Sequence, residues 1–412
     1  MGVDYGVLTP ETVADYIDGN PELAGLVDTG SLEVAEVGDG NLNLVFLCRD
    51  RNGRGLCLKQ SLPYLRLVGE AWPLSPERII CEARGLRAAA RVVPDLVPEV
   101  HTLDRSRFVV VMENLDGWDI WRGRLNEGHV HTGVGAHLGR YVANVAFSTS
   151  LFAVGAEEAK VQVAASINPE LCKITEDLVL TEPYIDHDNN SYPDALSAEV
   201  ATLRNDRQLR AQVGMLKHQF MTHAEALIHG DLHTGSVMVR NTDGAGQCRV
   251  IDPEFCFYGP VGFDLGALFG NYLAARTRAA VLNRPPEFQS WVSGLAAETW
   301  DAFETEMHRL WPSRLDPTWT DELLGSWLAK IKADSIGYGG CKAIRRIIGL
   351  AKVTDIENLP AHLHLPASTI VLRTARRWIL ERADTTGIGQ LDVIFQQIAA
   401  EVLEQNRRQE ST

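Results

Sequence analysis

Leu227-Ile228-His229-Gly230-Asp231-Leu232-His233-Thr234-Gly235-Ser236-Val237-Met238-Val239 sets a polar loop between two short apolar runs. A second polar element follows, Val250-Ile251-Asp252-Pro253-Glu254-Phe255, with Asp243-Gly244 marking a turn between them. The pattern reads as strand, polar loop, strand, turn, strand and acidic triplet. Such a unit can bring Asp231 and Asp252 to neighbouring points of one cleft, although they are 21 positions apart. Phosphoryl transfer from a nucleotide wants this division of labour. One carboxylate orients or accepts the proton of the attacking hydroxyl, and another holds a divalent cation against the phosphates.

Upstream segments fit the same chemistry. Gly38-Asp39-Gly40-Asn41-Leu42-Asn43 lies between two strand patterns, so it is not a turn opening a helix, and no Gly-Lys-Ser/Thr follows it. Glycines there let backbone approach phosphate oxygens closely. Lys59 ends the apolar strand Leu56-Cys57-Leu58-Lys59 and can reach into the cleft. Glu82, within a helix expected over 75–91, is the candidate to orient it; Glu77 lies on the same helix. The strand 108–112 runs into Glu113-Asn114-Leu115, whose backbone can serve an adenine edge. Arg345 and Arg346 sit side by side in an otherwise apolar helix. Adjacent helical positions differ by about 100°, so both cannot easily avoid the core face. A buried arginine wants a carboxylate or phosphate partner.

Around these motifs the chain divides in two. A helix is expected over 9–28, with Thr9 as cap and Pro10 in its first turn, and strands over 32–60. Past Glu113 the composition turns helical, with periodic stretches near 133–150, 198–227, 262–280, 290–310 and 320–356. The expectation is α+β: a strand-rich lobe over 1–113, a larger helical lobe over 114–412, and a ligand cleft between them.

Composition narrows the partners. The chain has 412 residues, with 54 acidic and 39 basic side chains and a formal net charge of −15. Wrapping nucleic acid or an anionic membrane needs clustered Lys and Arg, which this balance disfavours. No apolar run approaches the ~20 residues that span a bilayer, and the start lacks the marks of a signal peptide. The seven cysteines are scattered and never form a C-x-x-C pair. Free thiols in a reducing cytoplasm are expected.

HGDLH followed by an Asp motif resembles the protein-kinase-like small-molecule kinases, a group that includes aminoglycoside and choline kinases. Further segments resemble the methylthioribose kinases within it: GDGNLN at 38–43, KQSLPY at 59–64, GEAWPLSPER at 69–78, NPELC at 168–172, DHD at 186–188, IDPEFCFYGPVGFD at 251–264 and IRRIIGLA at 344–351. Ser236 stands where aminoglycoside kinases usually carry a metal-binding Asn, and Asp252-Pro253-Glu254 where ordinary kinases carry Asp-Phe-Gly.

The resemblance implies a bilobal protein-kinase-like fold, a small antiparallel sheet lobe above a mainly helical one. It implies ATP- and Mg²⁺-dependent phosphorylation of the anomeric hydroxyl of 5-methylthioribose in methionine salvage, by a cytoplasmic homodimer. Asp231 matches the catalytic, substrate-contacting residue, and Arg345, Arg346 and Trp72 match substrate-side positions. Asn41, Lys59, Glu113, Asn114, Leu115, Asp252, Pro253 and Glu254 match nucleotide-side positions, with Asp252 and Glu254 on the metal. The alternatives are another small-molecule kinase, for choline or an aminoglycoside, or a nucleotide-binding pseudokinase. The Arg pair argues against a polycationic aminoglycoside. Lys59, Asp231 and Asp252 argue against loss of catalysis.

Overall fold

The computed structural model describes residues 6–38, 42–65, 69–242 and 244–410. Asn41 therefore lies outside the described residues, as do Asp243 and the side chain of Trp72.

The first part of the chain is built on one antiparallel five-stranded sheet. Its strands run in the order Glu33–Glu36, Asn43–Arg49, Gly55–Ser61, Val109–Glu113, Val100–Asp104. Alternation in the Val109–Glu113 strand feeds two separate cores. Val109 and Val111 pack with Phe46, Leu56, Leu58 and the N-terminal residues Leu8, Val13, Ile17 and Leu23. Val110 and Met112 face the other way, onto Ile79, Ala83 and Leu86 of the helix Arg78–Ala90. The period of two makes this two-sided burial possible. It also turns Cys57 and Lys59 toward that helix, while Leu56 and Leu58 face the N-terminal segment.

The N-terminal helix is much shorter than expected. It covers only Val13–Asp18, and a 3₁₀ turn follows at Pro21–Leu23. Thr9 and Thr12 close a turn through the Thr9 N–H and the Thr12 hydroxyl, so the helix starts after them. Asn20 then caps the second piece through the Glu22 N–H, with Pro21 in its first turn. Two other long stretches are also cut. Asp206 accepts the N–H groups of Gln208 and Leu209, breaking 198–227 into Ser197–Asn205 and Arg207–Thr222. The helix expected over 320–356 ends at Ile348.

The rest of the chain is mainly helical. Val134–Thr149 packs on Pro286–Leu310, and Gly262–Val281 crosses Asp321–Ile348, which in turn packs on Ala361–Glu381. The crossing of Gly262–Val281 with Asp321–Ile348 depends on glycine. A methyl group at Gly266 would stand 2.7 Å from the Ser335 carbonyl oxygen, and one at Gly270 would stand 2.6 Å from that of Gly339. Two small antiparallel sheets complete this part, Asp119–Ile120 with Val237–Thr242 and Ala245–Val250, and Ala226–Ile228 with Phe257–Gly259. No helix among the described residues is long and apolar enough to cross a membrane. The seven cysteines are free, and five of them are buried.

A paired substitution tests the helix contacts. Gly→Ala inside a helix ordinarily gains about 1 kcal/mol in propensity. At Gly139 the new methyl would meet the Thr299 carbonyl oxygen at 2.2 Å and the Phe303 nitrogen at 2.8 Å, both backbone. Overpacking of that kind costs about 1–3 kcal/mol or more, so Gly139→Ala is expected to lower Tm. Gly214→Ala, on the helix Arg207–Thr222 with nothing within 4 Å, is expected to raise it slightly. Calorimetric scans of the two variants check the opposite signs.

Candidate active site

The first half of the site begins at the strand Gly55–Ser61. Burial leaves Lys59 8% exposed, and its ammonium lies 2.8 Å from Glu82 Oε2 and against Asp252 Oδ1. Glu82, not Glu77, faces it, because Glu77 sits at the N-cap of the helix Arg78–Ala90. Burial disfavours the Lys59 charge, but Asp252, Glu82 and Glu254 outweigh it and hold the ammonium above the usual lysine range. The same crowding acts on the acids. Burial, opposed by Lys59, pushes the Glu82 carboxyl up. Burial and then Asp252 push Glu254 up.

Glu82, Asp252 and Glu254 offer oxygens all within 4.8 Å of one another. Glu254 accepts from Asn43 Nδ2 at 2.8 Å and faces Arg78 Nε at 3.7 Å. Its backbone carbonyl accepts from Asn168 Nδ2 at 2.8 Å, which explains the NPELC segment. Pro253 packs on the helix Arg78–Ala90, where a methyl at Gly85 would lie 3.0 Å from it. Asp252 itself holds a left-handed φ of 66°. A non-glycine residue in that region costs about 1–3 kcal/mol and is kept where a site needs it.

The second half of the site is the loop 229–236. Its start is pinned by a group outside the loop: Asp264, 3% exposed, accepts the His229 N–H at 2.7 Å and the Gly230 N–H at 3.0 Å. His229 Nε2 bonds the Ile251 carbonyl at 2.9 Å, tying the loop to the segment that leaves the strand Ala245–Val250 and carries Asp252. Gly230 has φ 81°, and a methyl there would stand 2.2 Å from the Phe255 carbonyl oxygen. Any larger residue would drive the two motifs apart. Ser236, 3% exposed, turns its hydroxyl into the loop, donating to the Asp231 carbonyl at 2.8 Å and accepting the His233 N–H at 3.1 Å.

Asp231 emerges with its two oxygens in different settings. Oδ1 takes the Lys342 ammonium at 2.6 Å, and Oδ2 faces His233 Nε2 at 3.4 Å. His233 Nδ1 accepts the Gly235 N–H at 3.0 Å, so a neutral ring carries its proton on Nε2, toward Asp231. Burial pushes His233 down to about 4, consistent with that neutral form. Burial acts to raise the Asp231 carboxyl, but Lys342, His233 and Arg345 overcome it and hold Asp231 well below the usual carboxylate range.

Arg345 and Arg346 lie on the helix Asp321–Ile348, one turn past Lys342. Neither is the surface residue of an ordinary helix. Arg345 is 8% exposed, and the buried Nε of each arginine has no hydrogen-bond partner among the described residues. Among the described residues Arg346 reaches the Ala351 and Lys352 carbonyls, at 3.4 and 3.3 Å. Arg122 adds a third guanidinium, whose Nε lies 3.5 Å from buried Asp355. Burial and mutual repulsion push Arg346 well below the usual arginine range, and burial lowers Arg345 too. Among the described residues Asp231 and Asp355 are the only carboxylates within 4 Å of any of these four cations. Four positive charges against two leave room for an anion.

Two carboxylate motifs, a buried Lys–Glu pair and a cation-rich wall define a phosphotransferase cleft, and the relatives agree. The profile of the phosphotransferase enzyme family matches residues 33–284. A methylthioribose kinase of Geobacillus kaustophilus is 42% identical over 376 residues, 90% of this chain and 93% of that protein. The chain belongs to the phosphotransferase enzyme family. A methylthioribose kinase of Citrobacter koseri is 40% identical over 360 residues, 84% of this chain and 88% of that protein. A solved glucosamine kinase, 17% identical with a TM-score of 0.45, covers 88% of this chain and 85% of its own.

In this phosphotransferase the expected residues divide into four sets. Lys59, Glu82, Asp252 and Glu254 meet on one side, and Asp231, Arg345 and Arg346 on the other. Asn41 and the Trp72 side chain lie outside the described residues. The connector is less free than expected. The Glu113 N–H donates to the Glu99 carbonyl at 2.8 Å, Asn114 Nδ2 bonds the Cys48 carbonyl at 3.2 Å, and the Leu115 carbonyl accepts from Trp118 at 3.2 Å. Sequence reading missed Lys342, His233, Asp264, Arg122 and Asp355. Lys342 stood three residues before the noted arginines, on the same face by helical spacing, and that spacing was the available signal.

Proposed function

We propose that this chain transfers the γ-phosphoryl group of ATP to the anomeric hydroxyl of 5-methylthioribose, giving the 1-phosphate, in methionine salvage. The observation that carries this reading is the Asp231 carboxylate, held ionised against a wall of buried cations. The methylthioribose kinase names of the relatives support the substrate. Asp231 Oδ2 takes the proton of the sugar hydroxyl as its oxygen attacks phosphorus. The bond from the γ-phosphorus to the bridging oxygen breaks, and its electron pair leaves with ADP. Lys59, oriented by Glu82, neutralises phosphate oxygens, while Arg345 and Arg346 take up charge spread over the transferring group. Asp252 and Glu254 are the Mg²⁺ ligands of this reading, since their carboxylates crowd one another and welcome a cation. Bound there, Mg²⁺ neutralises charge on the phosphates.

The cation wall also weighs against the alternatives. Choline and aminoglycosides carry positive charge, which Lys342, Arg345 and Arg346 would repel. The test is ATP consumption with 5-methylthioribose, choline and kanamycin as acceptors. Turnover with 5-methylthioribose alone is expected, and turnover with only the other two would overturn the reading.

A further inference from the structure

We propose that Lys342 is the positioning residue of the reaction: it takes Asp231 Oδ1 for itself, keeps the carboxylate ionised and leaves Oδ2 as the sole acceptor for the substrate hydroxyl. This rests on the phosphotransfer reading above and adds a residue to it.

The geometry is specific. Lys342 is 4% exposed, and its ammonium lies 2.6 Å from Asp231 Oδ1 and 4.6 Å over the Phe263 ring. A buried ammonium is costly unless it is paired, and this one has a single carboxylate within 4 Å among the described residues. Glycine sets its approach: a methyl at Gly270 would stand 3.1 Å from Lys342 Cβ, so the close helix crossing delivers the lysine to the loop. Asp264, at the start of the helix that carries Gly270, holds the loop from below.

The consequence is chemical. A carboxylate bonded to Lys342 and flanked by Arg345 is a weak base, poorly matched to an ordinary alcohol. An anomeric hydroxyl is more acidic than an ordinary alcohol, because the ring oxygen withdraws electron density. A weak, permanently ionised acceptor suits that proton. Lys342 therefore tunes the site to a hemiacetal acceptor as well as orienting it.

The charged groups facing the pair are few. His233 and Arg345 face Asp231; Arg345 and Arg346 face Lys342, and Asp264 lies near it. Burial, joined by the two arginines, pushes Lys342 down to about 8 in spite of Asp231. The ammonium is thus fully present below that pH and is lost as pH rises through it. Asp231 is ionised at every pH above its lowered value. Two limbs follow for kcat/KM, which reports the free enzyme. The alkaline limb near 8 belongs to Lys342, and the acid limb of Asp231 lies far down.

The experiment is the pH profile of kcat/KM and kcat for 5-methylthioribose in wild type, Lys342→Met and Lys342→Arg, with ADP binding measured in each. Lys342→Met is expected to lower kcat about 10–100-fold at neutral pH with ADP binding unchanged. Loss of the neighbouring cation raises the Asp231 value, so its acid limb should move up by about one to three pH units. Lys342→Arg should retain the low acid limb and lose the alkaline limb near 8. A Lys342→Met profile that superimposes on wild type would overturn the proposal. Should that variant not fold, an alkaline limb that persists in Lys342→Arg overturns it equally. If wild type phosphorylates only choline or kanamycin, the substrate reading fails, and the same two limbs read with that acceptor still decide Lys342.

Discussion

Asp231→Asn is expected to lower kcat by about 10²–10⁴, the usual worth of a positioned acid–base group, while ADP still binds. Asn keeps the shape of the side chain and can still offer a carbonyl oxygen to Lys342. It cannot accept the hydroxyl proton and remain neutral. The proposed nucleotide side is separate: Lys59 is held by Glu82 and Asp252, and neither bonds Asp231. The variant should therefore split the two functions. The cost in stability is a second readout. Four cations, Lys342, Arg345, Arg346 and Arg122, would be left with Asp355 as the only carboxylate within 4 Å of any of them among the described residues. Breaking a buried pair costs about 3–5 kcal/mol, so a fall in Tm should accompany the fall in kcat. Retention of kcat within tenfold of wild type would remove Asp231 from the proton transfer.

Much of this site could be read from the chain because its decisive signals are local. The strand Gly55–Ser61 announces itself by apolar residues, and alternation places Lys59 on the helix side. HGDLH and DPE are short strings whose chemistry needs only that they meet. What brings them together is not local. Asp264 grips residues 34 and 35 positions before it, and Lys342 reaches across 111 positions to Asp231. Such contacts depend on a helix crossing that no period reveals in advance. The glycines 266, 270 and 339 hint at a close approach, but not at which helices approach. Errors at element ends have a local cause instead. Thr12, Asn20 and Asp206 have side chains that compete with helical hydrogen bonds, and each stood inside or at the rim of an apolar stretch that period alone carried onward.

The global charge of −15 disfavours polyanionic partners, yet ATP, the phosphoryl donor of the proposed reaction, is itself a polyanion. No contradiction arises, because screening confines surface charge to about 8 Å at physiological salt, whereas buried charges are screened far less. The surplus acid is felt mainly at the surface. Around Asp231 the balance is reversed by the buried Lys342, Arg345 and Arg346, and the proposed affinity for phosphate rests there.

That reversal should carry a price in stability, and Arg345→Met should expose it. Arg345 is 8% exposed, and its buried Nε has no hydrogen-bond partner among the described residues. Burial disfavours its charge, Asp231 favours it, and Arg122 disfavours it again, with the net effect downward. An unpaired buried cation destabilises a fold, and replacement by an apolar residue of similar length is often neutral or stabilising. In the proposed transfer the same guanidinium would find the charge it lacks on the phosphoryl group, and one such donor is worth about 10²–10³ in kcat. Arg345→Met is therefore expected to leave Tm unchanged or raise it, while kcat falls by that factor. Calorimetry with a coupled ADP assay reads both signs on one preparation. A variant that loses Tm yet keeps kcat would make Arg345 a structural residue and refute its place beside the phosphate.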